Sequence, residues 1–411
     1  MNENLRAYVD RRGQKGMDIS KSVELFRRYA YVEQSCIRAL AGWFLKLPNW
    51  ETKIILGYQL YAHAERLNEL GTRLEELRGG RHRDANIEPG LARIGKELVH
   101  APDDHSFIAG LSWMLGHLVH VYKEHLEVAD ASANALEIRI LLRLQVDVEN
   151  ELHSLQELEK QQYGNSQVNT VHWTQYLEGL IEEAGGISGL GLRSGKSVSA
   201  LRPEKAQFDW PSPMVFDGRI VHADLGSYQS KLDLPLRDRS IGEFKVYFNE
   251  FYAAALLATI IYDSWKLDAP RQYFMDIAHH FWDEVRHAEF GAIRLRELGV
   301  EPSVVNMVLF DNSQGLPLLH RLCYLTLGLE VYFMPRKSVR VRYYEQEGDA
   351  RSQLFADVDW SDESNHVRYG KQWMDYFLKD DARTIEDVQE EIAKYMENNV
   401  NNAVGGQKVP W

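Results

Sequence analysis

Apolar residues recur at helical spacing through most of the chain, in long windows free of proline and poor in glycine: residues 18–47, 50–78, 106–130 and 133–162. Pro48 closes the first window, Arg78-Gly79-Gly80 closes the second, and a shorter helical stretch over 90–100 precedes Pro102. Helices of bundle length joined by short turns predict one antiparallel bundle over residues 1–162.

The pattern breaks over 163–240. Gly185-Gly186, Gly189, Gly191, Gly195, serine-rich stretches and Pro203, Pro211, Pro213 and Pro235 leave room for one helix, 173–184, and for short strands near 219–222. This segment reads as an irregular connector. Helical periodicity resumes at 241–267, 270–298, 316–346, 352–379 and 384–398, with a kink predicted at Pro335. A second four-helix bundle with a trailing helix fits residues 241–398, and the polar residues 399–411 read as a tail. The expected fold class is all-α, two helical bundles joined by the connector. No strand-rich domain and no glycine-rich phosphate loop between a strand and a helix is visible.

Composition narrows the function classes. Of 411 residues, 45% are hydrophobic and 11% aromatic, enough for packed cores and too many for a mainly disordered chain. A net charge of −13 supplies no overall field for a phosphate backbone or an anionic membrane, so neither is an expected partner. Residues 1–21 lack an apolar core of signal-peptide length, and the longest apolar run, 251–262, is too short to span a bilayer. Cys36 and Cys323 stand far apart, which excludes a thiolate metal site and suggests a reducing compartment. Cytoplasmic location is the expectation.

The candidate chemistry lies in the second bundle. Each of its four main helices contributes one carboxylate to a candidate cluster: Glu250, then Glu284 within Asp283-Glu284-Val285-Arg286-His287, then Glu330, then Glu363 within Asp362-Glu363-Ser364-Asn365-His366. Glu and His at i, i+3 share one helical face and can reach a common metal. The spacings Glu250 to Glu284 and Glu330 to Glu363, 34 and 33 residues, take the chain along one helix and back to the same depth. A lone Glu-x-x-His arises about once by chance in a chain of this length. Glu97 to His100 is such a copy, with Glu65 upstream but no twin. The two copies in the second bundle instead share the longer form Asp-Glu-x-x-His-x-x-x-Gly, ending at Gly291 and Gly370. Four buried carboxylates need compensating cations, and two divalent ions balance them. Carboxylate-rich, two-histidine ligation suits iron first and manganese second.

This pattern resembles the diiron-carboxylate branch of the ferritin-like proteins, and Asp-Glu-x-Arg-His is similar to the version in bacterial multicomponent monooxygenase hydroxylases. The resemblance implies a ferritin-like bundle in which Glu250 and His287 are terminal ligands to one iron. Glu330 and His366 would serve the other, while Glu284 and Glu363 bridge both and are the expected catalytic carboxylates. Asp283 and Asp362, four residues before the histidines, can accept the second imidazole N–H, and Arg286 can pair with them. Asn365 stands where a second Arg would complete a symmetric network.

A reduced diiron site reacts with O2, so the expected function is a non-haem diiron oxidase or oxygenase that hydroxylates, desaturates or N-oxygenates a small organic substrate. Ala253, Ala254 and Ala255 leave volume beside Glu250 for such a substrate. Electrons would come from a separate reductase or the substrate, and a homodimer is an open assembly state. Tyr247 and Tyr332 lie near ligands without a role that follows from spacing. A ferroxidase or iron-storage protein uses the same ligands, and a structural helical scaffold needs none; a rubrerythrin-like peroxidase would need a four-cysteine electron-transfer module, which two cysteines cannot build.

In the first bundle, His63-Ala64-Glu65 faintly echoes His287-Ala288-Glu289, as a decayed duplication would. Glu33, Glu124, Glu149 and His153 form a weaker candidate set, and His117, His120 and His125 read as structural.

Overall fold

Helix boundaries follow local chemistry. Asp103 accepts the backbone N–H of Ser106 and Asp349 that of Ser352, so each caps the turn that follows it. Gly348, at φ +68°, takes the left-handed conformation that ends the preceding helix and that a side chain would strain. The computed structural model describes residues 15–80, 87–164, 168–193, 198–211, 213–223 and 234–399. Residues 400–411 of the expected tail lie outside these.

The protein is predominantly helical. The first helices are α1 (Ile19–Phe44), α2 (Trp50–Glu76), α3 (Pro89–Glu97), α4 (Asp104–Val128), α5 (Ala135–Tyr163) and α6 (Val168–Ala184). After them come α7 (Leu236–Phe248), α8 (Phe251–Ser264), α9 (Arg271–Glu297), α10 (Val308–Ser313) and α11 (Leu318–Cys323). The π-helical turns Tyr324–Leu329 lead into α12 (Glu330–Glu347), α13 (Ala350–Leu378) and α14 (Ile385–Asn399). Two short strands, β1 (Val221–His222) and β2 (Val304–Val305), pair in parallel, Val221 opposite Val304.

The chain divides into two compact units, residues 1–43 with 62–209 and residues 44–61 with 210–411. In the first, α4 packs along α5, and α6, which lies in the segment expected to be an irregular connector, packs against α3 and α4. Trp43 stacks on Phe107 with centroids 4.8 Å apart, and Tyr29 meets Tyr122 edge-on at 5.1 Å. In the second unit, α9 packs against α7, α8 and α13, and α12 runs along α13. α8 is apolar on all sides and almost wholly buried, as befits a helix at the centre of a core.

Two local expectations are corrected. The window 241–267 is not one helix: α7 and α8 meet at Asn249 and Glu250, where Glu250 N–H donates to Tyr247 O at 3.0 Å, a tighter turn than the α-helical one. The Asn249 side chain accepts the backbone N–H of Asn306 at 2.6 Å and holds the junction. Because α7 and α8 nearly abut, Leu236–Ser264 is long and apolar enough to cross a membrane by length and composition, although 89% of that apolar window is buried inside the protein. Second, the window 316–346 is not one uniform α-helix: π-helical turns interrupt it directly before Glu330, and α12 continues through Pro335.

Candidate metal centre

One stripe of α9 carries His280, Asp283, Glu284, His287 and Gly291, at i, i+3, i+4, i+7 and i+11, and all five are buried. The matching stripe of α13 carries Asp359, Asp362, Glu363, His366 and Gly370. The glycines at the end of each motif are explained by contact. A Cβ on Gly291 would stand 2.1 Å from the Phe248 backbone nitrogen, next to Glu250, and one on Gly370 would stand 2.2 Å from Thr326 Oγ1 in the turns before Glu330. Only a bare Cα lets each glutamate-bearing helix approach.

The stripes bring two groups of potential ligands together, His280 with Glu284, Glu330 and His366, and Glu284 with His287 and Glu363. Glu284 belongs to both. Its Oε1 lies 3.4 Å from His280 Nε2 and 3.2 Å from His366 Nδ1, and its Oε2 lies 3.7 Å from His287 Nδ1. His280 and His366 stack with centroids 3.7 Å apart. Glu250 is buried beside this cluster, but its oxygens join neither group.

The outer nitrogens of the two motif histidines are held by carboxylates, with the helices exchanged. His287 Nε2–H donates to Asp362 at 3.2 Å, and His366 Nε2–H donates to Asp283 at 3.1 Å. Each aspartate had been expected to serve the histidine on its own helix; the facing helix is nearer because both aspartates point across the α9–α13 seam. Arg286 bonds Asp283 and Asp362 together. These bonds leave Nδ1 of both histidines pointing inward.

Charge is concentrated here, and it moves the titration of these groups. Burial opposes a charged His287, yet the bond to Asp362 and the nearby Glu284 carboxylate raise its pKa to about 10. Burial likewise opposes His366, and the bond to Asp283 and the nearby Glu284 carboxylate raise it well above the usual imidazole range. Burial, followed by repulsion from Glu284, raises Glu250, and burial raises Glu363. Glu284 is held low, against burial, by His280, His287 and His366. A cluster that protonates its imidazoles and suppresses two carboxylates demands positive charge.

Sequence reasoning missed buried His280, Lys337 and Asp359 and the largely buried Arg340. Lys337 on α12 donates to Asp359 at 2.7 Å and to Glu363 at 2.8 Å, Tyr247 O–H donates to Asp359 at 3.0 Å, and Arg340 pairs with Asp359 and Glu243. A signal for two of them was present, since His280 and Asp359 both stand four residues before the motif glutamate and seven before the motif histidine. Of the remaining candidates, Tyr332 is exposed and Ala253, Ala254 and Ala255 are buried.

The alternative sites do not assemble as expected. Glu97 pairs with Arg202, and His100 accepts the backbone N–H of Phe208. Glu124 pairs with His120 and Glu149 with Lys123 at the surface, where His153 is also exposed. Glu33 is buried, but with different partners: His63, Tyr122 at 3.2 Å, and Arg66, whose guanidinium also forks onto Glu151 at 2.6 and 3.0 Å. An arginine supplies the cation in the first unit.

A family model described as a protein of unknown function (DUF455) matches residues 246–407, the stretch that holds Glu250, both histidine motifs, His280 and Lys337. No curated protein and no solved structure matches the chain.

Proposed function

We propose that the buried cluster holds two divalent metal ions, iron by preference and manganese as the alternative, and that the protein is an O2-dependent non-haem diiron oxidoreductase acting on a small organic substrate. The helices bearing Glu250, Glu284, Glu330 and Glu363 would form the ferritin-like bundle around it. One observation carries this reading. His287 Nδ1, His366 Nδ1, Glu284 Oε2, Glu363 Oε2 and both oxygens of Glu330 are buried without a hydrogen-bond partner and face one another. His280 Nε2 lies 2.7 Å from Glu330 Oε1, but neither atom is aligned for a hydrogen bond. So many orphaned donors and acceptors are prohibitive unless a cation satisfies them.

The wider charge balance agrees. Glu250, Glu284, Glu330, Glu363, Asp283, Asp359 and Asp362, with Glu243 sharing Arg340, are eight acids facing three bases, Lys337, Arg340 and Arg286, and two divalent ions would offset four of the five missing charges. Two ferrous ions, when bound, supply two electrons for O2 reduction. The chain's own part would be to fix both Nδ1 donors through Asp283 and Asp362, to exclude water, and to offer Glu284 to both ligand groups. The small residues 253–255 are the proposed substrate side.

Anaerobic Fe(II) loading, metal analysis and rapid mixing with O2 test the reading, with about two irons per chain and an O2-dependent absorbance change expected. Fewer than about one iron per chain would overturn it. Sustained Fe(II) oxidation indifferent to every organic substrate tried would convert it to a ferroxidase.

A further inference from the structure

We infer that the two metal pockets are unequal and fill in order, and that Lys337 makes them so by holding Glu363 to one side. This rests on the two-metal reading above. The resemblance implies two bridging glutamates, Glu284 and Glu363, but the geometry distinguishes them. Glu284 directs one oxygen to each ligand group, as a shared carboxylate must. Glu363 gives Oε1 to the Lys337 ammonium at 2.8 Å and has only Oε2 left, on the His287 side.

The asymmetry is written into positions that otherwise correspond. Seven residues after Glu330 stands Lys337; seven after Glu250 stands the apolar Leu257. Four residues before Glu284 stands His280, a metal ligand by type; four before Glu363 stands Asp359, which is occupied by Lys337, Tyr247 and Arg340. One pocket therefore offers two imidazoles and two carboxylates. The other offers one imidazole, a shared carboxylate and half of Glu363, with the Lys337 ammonium, which also holds Asp359 at 2.7 Å, next to it. A fixed ammonium repels a dication most strongly in a water-poor interior. The first ion takes the His280, Glu284, Glu330 and His366 pocket, and the second binds the His287 pocket more weakly.

Titration of the metal-free full-length chain with Mn2+, following free Mn2+ by its EPR signal, tests this. The expected isotherm has two ions per chain in two steps separated by about tenfold or more in Kd. His280→Ala should weaken the tight step about tenfold or more and spare the other. Lys337→Met should tighten the weak step about tenfold, while Lys337→Arg, which keeps the charge, should leave it weak. Circular dichroism checks folding of each variant, and Lys337→Gln serves if Lys337→Met does not fold. Two equal steps, or a weak step unmoved by removing the Lys337 charge, would overturn the inference and leave the metal reading standing. No binding to the wild-type chain would overturn both.

Discussion

Asp283 on α9 accepts the Nε2–H of His366 on α13 at 3.1 Å. The histidine one turn further along its own helix, His287, is served instead by Asp362 of α13 at 3.2 Å. Each repeated motif thus orients the other's imidazole, and neither helix sets its ligand geometry alone. The Asp283 carboxyl responds to this position: burial would raise its pKa, but the bond to His366 together with the charges of His366, His279 and Arg286 outweighs it and lowers the value to about 2.

Asp283→Ala should weaken metal binding about 10–100-fold through loss of imidazole orientation. Double-mutant cycles read by metal titration should show stronger coupling of Asp283 to His366 than to His287. The reverse order would mean that the exchange between helices is not what orients the rings.

Gly291→Ala and Gly370→Ala should each destabilise the second unit, by about 1–3 kcal/mol or more, because the added methyl meets the Phe248 backbone and the Thr326 side chain. Gly291→Ala should be the worse of the two, since the backbone cannot rotate away as a threonine side chain can. Urea unfolding followed by circular dichroism gives both values, and an unchanged midpoint for Gly291→Ala would contradict the close approach.

Arg66→Met should destabilise the first unit by about 3–5 kcal/mol, since it leaves Glu33 and Glu151 buried without a cation. Replacing both glutamates with Gln in the same chain should restore much of the loss. The comparison is a thermal melt of the single and triple variants, and equal melting temperatures would show that the arginine's charge is not what stabilises the cluster.

His125 sets an acid limit in the first unit. Burial lowers its pKa from 6.5 to about 4, and its Nδ1 lies 3.3 Å from the Tyr29 hydroxyl. The unfolded chain therefore binds a proton below about 6.5 that the folded chain refuses until about 4. The stability that neutral His125 contributes is full above pH 6.5 and lost as pH falls through about 4, worth about 3 kcal/mol at most. His125→Gln should flatten the stability profile between those limits; an unchanged slope would assign the acid sensitivity to other groups.

The helices were legible because their signals are local. Apolar periodicity, Asp103, Pro48, Gly348 and the other boundary residues act within a few positions of themselves, and the observed α2, α5 and α9 keep close to the expected limits. The break between α7 and α8 was hidden because no glycine or proline marks it; it depends on the bond from Asn306 to Asn249, 57 residues apart. Which part of α1 and α2 belongs with which compact unit was hidden for a similar reason, since both helices keep one continuous apolar pattern across the division.

By itself the sequence determined that the chain is helical and that Glu284, His287, Glu330, Glu363 and His366 are set at matching depths, because helical rise and the i, i+3 relation are fixed by the backbone. Only the tertiary structure decided what surrounds them. His280, Lys337 and Asp359 enter the cluster through packing of α9, α12 and α13, and the aspartates serve the facing helix rather than their own. Such choices depend on distances between helices remote in sequence, which no spacing along one chain encodes.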